Sequence, residues 1–236
     1  MNKVKLHTLW LLGMLFLMTA CGDDDYYYPS VKLEFVTVKA GADGLIQSLL
    51  PDKGELLTVA KDRTGSTISP NSARRVISNY EVNPEDATAV IYSLQSVVTP
   101  EPKVADDPAF EGGLKYDPVD VTSIWLGRDY LNMILNVKIN INSGKQHVFG
   151  MIEESVEAEG DETVVTLSLF HDANGDEENY NRRAYISVPL TKYVDEENPH
   201  QTIRIKFKYH TTDKSGVVVE SSKYCDPGFE YVPGVN

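Results

Sequence analysis

From Leu131 to Ile141, apolar side chains fall on every second position: Leu131, Met133, Leu135, Val137, Ile139 and Ile141. Asn132, Asn136, Lys138 and Asn140 occupy positions between them. Successive side chains of a strand point to opposite faces, so this run reads as a long strand with one apolar face. A helix repeats every 3.6 residues and does not fit the pattern. Ile203, Ile205, Phe207 and Tyr209 alternate in the same way with Arg204, Lys206 and Lys208. Little after residue 30 reads as a long amphipathic helix. Short β-rich runs are separated instead by Gly, Pro, Asn and Asp, which predicts an all-β fold.

The runs fall into two groups. The first holds Val31–Lys39, Leu45–Leu50, Glu55–Ala60, Arg74–Val82 and Ala87–Val98. Five short strands with a longer connection after the third suit an OB-like barrel over residues 31–98. Thr99-Pro100-Glu101-Pro102, Asp106-Asp107-Pro108 and Gly112-Gly113 then break the pattern, so residues 99–113 read as a linker. The second group is Val119–Leu126, the run from Leu131, Gln146–Ile152, Thr163–Phe170, Arg182–Leu190, Thr202–Tyr209 and Gly216–Tyr224. Seven strands with one apolar face each predict an antiparallel β-sandwich over residues 114–236.

The N-terminus carries a different message. Lys3 and Lys5 precede an apolar stretch from Leu9 to Met18, then small residues and Cys21. The stretch is shorter than the roughly 20 residues that span a bilayer, and the layout is that of a secretory signal peptide over residues 1–20. Leu17-Met18-Thr19-Ala20-Cys21 resembles a bacterial lipobox, with Met18 where Leu is usual. That resemblance implies a diacylglyceryl group on the Cys21 thiol and cleavage before it. The processed chain then has a lipid anchor and no transmembrane helix. Each buried methylene contributes about 0.8 kcal/mol, so two or three acyl chains hold stably. Residues 21–30 form an acidic tether. Its Asp23, Asp24 and Asp25 resemble the export signal that sends Bacteroidota lipoproteins to the outer face of the outer membrane.

Further segments carry a resemblance along nearly the whole processed chain. They are Cys21 to Ser30, Arg75-Val76-Ile77-Ser78-Asn79-Tyr80, Ile91-Tyr92-Ser93-Leu94-Gln95, Asp117-Pro118 through Asn132, and His171 to Asp176. In this order they resemble the NigD-like lipoproteins of Bacteroidota. The resemblance implies an N-terminal OB-like domain and a C-terminal β-sandwich, in agreement with the strand reading. The family takes its name from a bacteriocin-associated operon.

Candidate sites are few. Asp172, Asn174 and Asp176 stand at i, i+2 and i+4, as the first oxygen donors of a calcium loop do. The twelfth position is Arg183 where an EF-hand needs Glu, and Gly175 falls fourth where Gly belongs sixth. A solvated hairpin loop turning at Asn174-Gly175 is the favoured reading, and no metal site is assigned. Arg204, Lys206 and Lys208 make a basic stripe that reads as a solvated sheet face. Trp125 alternates with Val119 and Val121 and reads as a core aromatic. With Cys21 acylated, Cys225 has no intrachain partner and reads as a small apolar residue near the last strand.

Composition narrows the function classes. A formal net charge of −13, from 22 basic and 35 acidic residues, argues against nucleic acid, which requires a basic surface. There is no G-x-S-x-G, P-loop or H-E-x-x-H pattern, and the histidines are scattered. Paired acids such as Glu153-Glu154 fall in what reads as charge-rich loop. No catalytic residue and no cofactor beyond the lipid on Cys21 is assigned. The expectation is a non-enzymatic lipoprotein on the cell exterior, presenting an all-β module to a protein or glycan. A bacteriocin-linked immunity or delivery role is the alternative. A glycan-processing enzyme with two converging carboxylates is the third.

Overall fold

The structure is a computed structural model and describes residues 31–234 apart from 161, 177 and 178. The leader, Cys21, Asp23, Asp24 and Asp25 lie outside the described residues. Among the described residues, no helix is long and apolar enough to cross a membrane.

Five strands close into a barrel: β1 (Val31–Ala40), β2 (Ile46–Pro51), β3 (Leu57–Asp62), β4 (Ala73–Asn83) and β5 (Thr88–Ser96). Their order is β1-β2-β3-β5-β4, with β3 and β5 parallel and the other pairs antiparallel. The interior is filled by alternate residues such as Val36, Val38, Leu49 and Ile91, all without exposed surface. Tyr80 is buried among them, and its hydroxyl donates to Glu34 Oε2 at 2.9 Å. Burial, then the Glu34 carboxylate, push that hydroxyl well above the usual phenol range.

The second half is a two-sheet sandwich of β6 (Pro102–Val104), β7 (Asp120–Gly127), β8 (Tyr130–Ile139), β9 (Val148–Glu159), β10 (Glu162–Asp172), β11 (Tyr180–Pro189), β12 (Ile203–Thr212) and β13 (Val218–Tyr231). One sheet has the order β13-β12-β10-β9-β6 and the other β11-β8-β7. Between them lie Leu131, Met133 and Leu135 of β8, Val165, Leu167 and Leu169 of β10, and Ile205 and Phe207 of β12. Burying each such side chain contributes roughly 1.5–3 kcal/mol relative to exposure. The alternation that predicted β8 thus selects its core face, although the strand ends at Ile139 and Ile141 is exposed.

The sandwich differs from the sequence expectation in four respects. It has eight strands, because Pro102–Val104, inside the expected linker, pairs with β9 at the sheet edge. A proline is accommodated there because an edge strand need not donate on its outer side. Phe110, also in that segment, packs with Ile152 and Phe170. Second, β10 and β12 run parallel, as do β6 and β9. The chain passes from β10 through β11 in the opposite sheet before returning as β12, which restores its direction. Third, Glu153–Glu159 is strand, not loop. Its acids stand opposite basic side chains: Glu153 meets Lys192 at 2.6 Å, Glu154 meets Lys208 at 2.8 Å, and Glu159 meets Lys206 at 3.8 Å. Fourth, β13 continues past Tyr224 because residues 225–228, with their proline, bulge out opposite Lys206 and pairing resumes at Phe229 with Ile205.

Candidate binding cleft between barrel and sandwich

The three-stranded sheet is covered on both faces. While Leu131, Met133 and Leu135 face the sandwich core, the intervening Asn132 and Ile134 face the barrel, and β11 adds Tyr185 and Ser187 on that side. A bulge in β7 between Val121 and Ser123 reverses the phase of that strand. Val121, Ile124 and Leu126 pack on the sandwich core, whereas Trp125 turns to the barrel with Ile134 and Tyr185. It is therefore a core aromatic of the interface between the two domains, on the opposite face from Val119 and Val121. Phe35 and Ile77, on the outer wall of the barrel, meet it with Val97. The Phe35 and Trp125 rings pack edge to face at 5.2 Å, and Phe35 and Tyr185 at 6.2 Å, a geometry that adds about 0.5–1.5 kcal/mol to simple burial.

Beside these rings a polar network locks the two halves. Arg75 of β4 is 4% exposed, yet its guanidinium is surrounded by acceptors. It contacts Asp52 Oδ1 at 2.5 Å, Ser187 Oγ at 3.0 Å and Asn132 Oδ1 at 3.1 Å, and it lies over the Tyr130 ring at 4.3 Å. Asn132 Nδ2 donates to Asp52 Oδ2 at 2.8 Å, and Ser187 Oγ donates to Asn132 Oδ1 at 2.6 Å. Gly127 passes so close that a Cβ there would lie 2.1 Å from Asp52 Oδ2 and 2.5 Å from Asn132 Nδ2. Two backbone bonds, Val98 N to Tyr185 O and Ser187 N to Val98 O, each 2.9 Å, join the chain leaving the barrel to β11.

A cleft of about 390 Å³ opens next to the lock. Phe35, Ile77, Trp125, Ile134 and Tyr185 supply apolar surface, with Glu34, Asp52, Lys53 and Arg183 around them. Such a mixture of aromatic floor and few charges is the usual make-up of a ligand site. Both carboxylates are already engaged, Glu34 by the Tyr80 hydroxyl and Asp52 by Arg75 and Asn132.

The structure brings together two histidines that the sequence separates by 24 positions. His171 is 2% exposed, stacks parallel to Phe149 at 4.7 Å, and has its Nδ1 2.9 Å from the Asp117 carbonyl. A carbonyl only accepts, so Nδ1 carries the proton and Nε2 accepts from His147 Nδ1 at 2.9 Å. His147 Nε2 faces Asp176 Oδ2 at 3.5 Å, beyond normal hydrogen-bond length. Burial holds the His171 imidazole below its usual range. The register of the β9–β10 hairpin, which sets Phe149 opposite His171, is the signal that places His147 one diagonal step away.

Asp172, Asn174 and Asp176 are sent to different partners. Asp172 Oδ1 accepts the Asn174 backbone N–H at 2.7 Å, Asn174 Nδ2 donates to the Gln146 carbonyl, and Asp176 Oδ2 accepts the Asn140 N–H at 2.9 Å. The chain turns at Asn174 and Gly175, both at positive φ, as the sequence suggests. The loop is not a hairpin, however: β10 pairs with β9 and β11 with β8, so it crosses from one sheet to the other. The Asp176 side chain is 1% exposed, which makes the loop a buried staple at that end. Among the described residues, no group of three or more His, Cys, Asp or Glu is placed to hold a metal ion.

The basic stripe is neutralised across the sheet. Arg204 makes two bonds of 2.9 Å to Glu162, and Lys206 and Lys208 meet Glu159 and Glu154. Cys225 lies half-buried on β13 with Sγ 3.6 Å from the Phe207 carbonyl, and burial pushes its thiol up.

Residues 35–97 match the NigD-like N-terminal OB domain and residues 102–220 the NigD-like C-terminal beta sandwich domain. The crystal structure of a NigD-like immunity protein from Bacteroides caccae is 70% identical, covers 88% of this chain and all of its own, and superposes with a TM-score of 0.78. A Parabacteroides distasonis structure at 17% identity covers 87% of this chain and 95% of its own with a TM-score of 0.66. A protein of unknown function from Bacteroides vulgatus, also 17% identical, covers 88% and 96% with a TM-score of 0.60. These two share the fold. No curated protein matches the chain. A barrel and a sandwich that each match their own family domain, in that order, place this chain in the NigD-like family.

Proposed function

We propose that this chain is a non-enzymatic lipoprotein of the cell envelope, whose barrel and sandwich act together as one binding module. The observation that carries the reading is the aromatic cleft between the two halves, held open beside a buried polar lock. Lipidation at Cys21 anchors the module, and Asp23, Asp24 and Asp25 direct it to the outer face of the outer membrane. The occupant of the cleft is a protein or a glycan. Anchoring and exposure have direct tests. Replacing Cys21 by Ala is expected to move the protein from the membrane fraction to the soluble fraction. Protease added to intact cells is expected to degrade the wild-type protein, and full protection overturns the surface assignment.

A second reading is favoured by one neighbour. The 70% identical protein from Bacteroides caccae is described as an immunity protein. In that reading the module protects its producer by engaging a toxin or a component of its delivery. Deletion of the gene is then expected to raise sensitivity to a bacteriocin made by the same strain. Unchanged sensitivity, with no toxin, exporter or immunity gene nearby, overturns it.

A further inference from the structure

Three consecutive residues of β1, Leu33, Glu34 and Phe35, line the cleft, and so do Trp125, Leu126 and Gly127 of β7. Neighbouring side chains on a strand point to opposite faces, so a cavity touched by three in a row runs along the strand's edge. The pairing agrees. β4 accompanies β1 over Val31–Lys39, but β2 joins it only from Val36. Among the described residues, residues 31–35 therefore have one open side, and Leu33 is 66% exposed there. β7 is the outer strand of its sheet and pairs with β8 alone. The cleft is bordered by two open strand edges, whose peptide groups are a template for another extended chain.

Charge selects among such chains. Arg75 neutralises Asp52 and Glu34 is turned to the Tyr80 hydroxyl, so two cations of the cleft stand against one uncompensated carboxylate: the side chains of Lys53 and Arg183 are exposed and make no ion pair or hydrogen bond with any described residue. By contrast, the basic stripe of the sandwich is matched, with Arg204, Lys206 and Lys208 each paired to a glutamate. Two unmatched cations beside an aromatic floor favour an anionic occupant. An acidic glycan would use the rings and the cations but leave the strand edges idle. A peptide uses all three.

We propose that the cleft takes an extended acidic segment of a partner protein, added as a strand along the open edge of β1. Its carboxylates meet Lys53 and Arg183, and its alternate apolar side chains lie against Phe35, Trp125 and Tyr185. This deepens the binding-module reading and rests on it.

The test uses the full chain in detergent and a fluorescently labelled Asp-Val peptide of four repeats. Saturable binding is expected, with a shift of Trp125 emission in a Trp10→Phe background. N-methylation of alternate peptide amides removes the edge hydrogen bonds and is expected to weaken binding about tenfold or more. Lys53→Glu and Arg183→Glu, both at exposed positions, are each expected to weaken it about threefold or more. The matching Lys-Val peptide is expected not to bind. Equal affinity of the N-methylated peptide overturns strand addition. Binding of oligoglucuronate, with none of the peptides, overturns the peptide assignment and leaves the binding module standing. No binding by any probe overturns the inference, while the anchoring and exposure tests judge the broader reading separately.

Discussion

Arg75 shows how much one side chain can decide. A buried guanidinium is costly to desolvate, and it is tolerated here because Asp52, Asn132, Ser187 and Tyr130 surround it. Removing it leaves the largely buried Asp52 carboxylate without its counter-charge. Arg75→Ala is therefore expected to destabilise the chain by about 3–5 kcal/mol in urea unfolding. Arg75→Met with Asp52→Asn removes both charges and is expected to recover part of that loss. His171 makes the second residue-scale prediction. Burial depresses its pKa, so the folded state resists protonation. The stability this contributes is complete above the unfolded value of about 6.5 and is lost as pH falls below it. The wild-type stability curve should slope downward below about pH 6.5, by at most about 1.4 kcal/mol per pH unit for this group. In His171→Gln that component of the slope is expected to vanish. None of this was legible residue by residue. Arg75 and Asn132 belong to ordinary strand alternation, and their burial follows only once the barrel covers the outer face of β8.

At the scale of the element, alternation located most of the strands and one local irregularity hid the site. Val119, Val121 and Trp125 share a phase in the sequence, yet the bulge after Val121 inserts one residue and moves Trp125 to the other face. A bulge has no signature in a polar pair such as Thr122-Ser123, so the aromatic floor of the cleft was out of reach. The acidic run Glu153–Glu159 was hidden for another reason: its partners lie far along the chain, Lys192 just after β11 and Lys206 and Lys208 on β12. Glu153 shows the consequence for acid stability. Burial alone would raise its pKa, but the Lys192 and Tyr193 hydrogen bonds together hold the carboxyl below the usual carboxylate range. A depressed carboxylate contributes stability above its unfolded value of about 4.3, which is lost as pH falls through the folded one. Glu153→Gln is expected to flatten the stability curve below about pH 4.3 and leave the His171 window unchanged. The effect is modest, because the Lys192 side chain is 44% exposed and solvent screens the pair.

At the scale of the molecule, what joins barrel to sandwich decides whether they behave as two domains or one. Each has its own core, as five runs followed by a second group implied. A linker between them would allow independent motion. Instead the connecting segment supplies an edge strand to the sandwich, Val98 is hydrogen-bonded to β11, and the aromatic and Arg75 clusters span the boundary. Residues so coupled should unfold together. In a Trp10→Phe background, Trp125 emission reports the boundary while far-UV circular dichroism reports both β cores. The two urea transitions are expected to coincide. Gly127→Val places a branched side chain where even a Cβ meets Asp52 and Asn132. That wedge is expected to open the boundary before either core melts, so the Trp125 transition should move to lower urea than the dichroism transition. If both transitions shift together, the lock is only one more contact in a single core. If the wild type already shows two transitions, the boundary is a true hinge. A hinge would also remake the cleft, since its two open strand edges are held on opposite sides of that boundary.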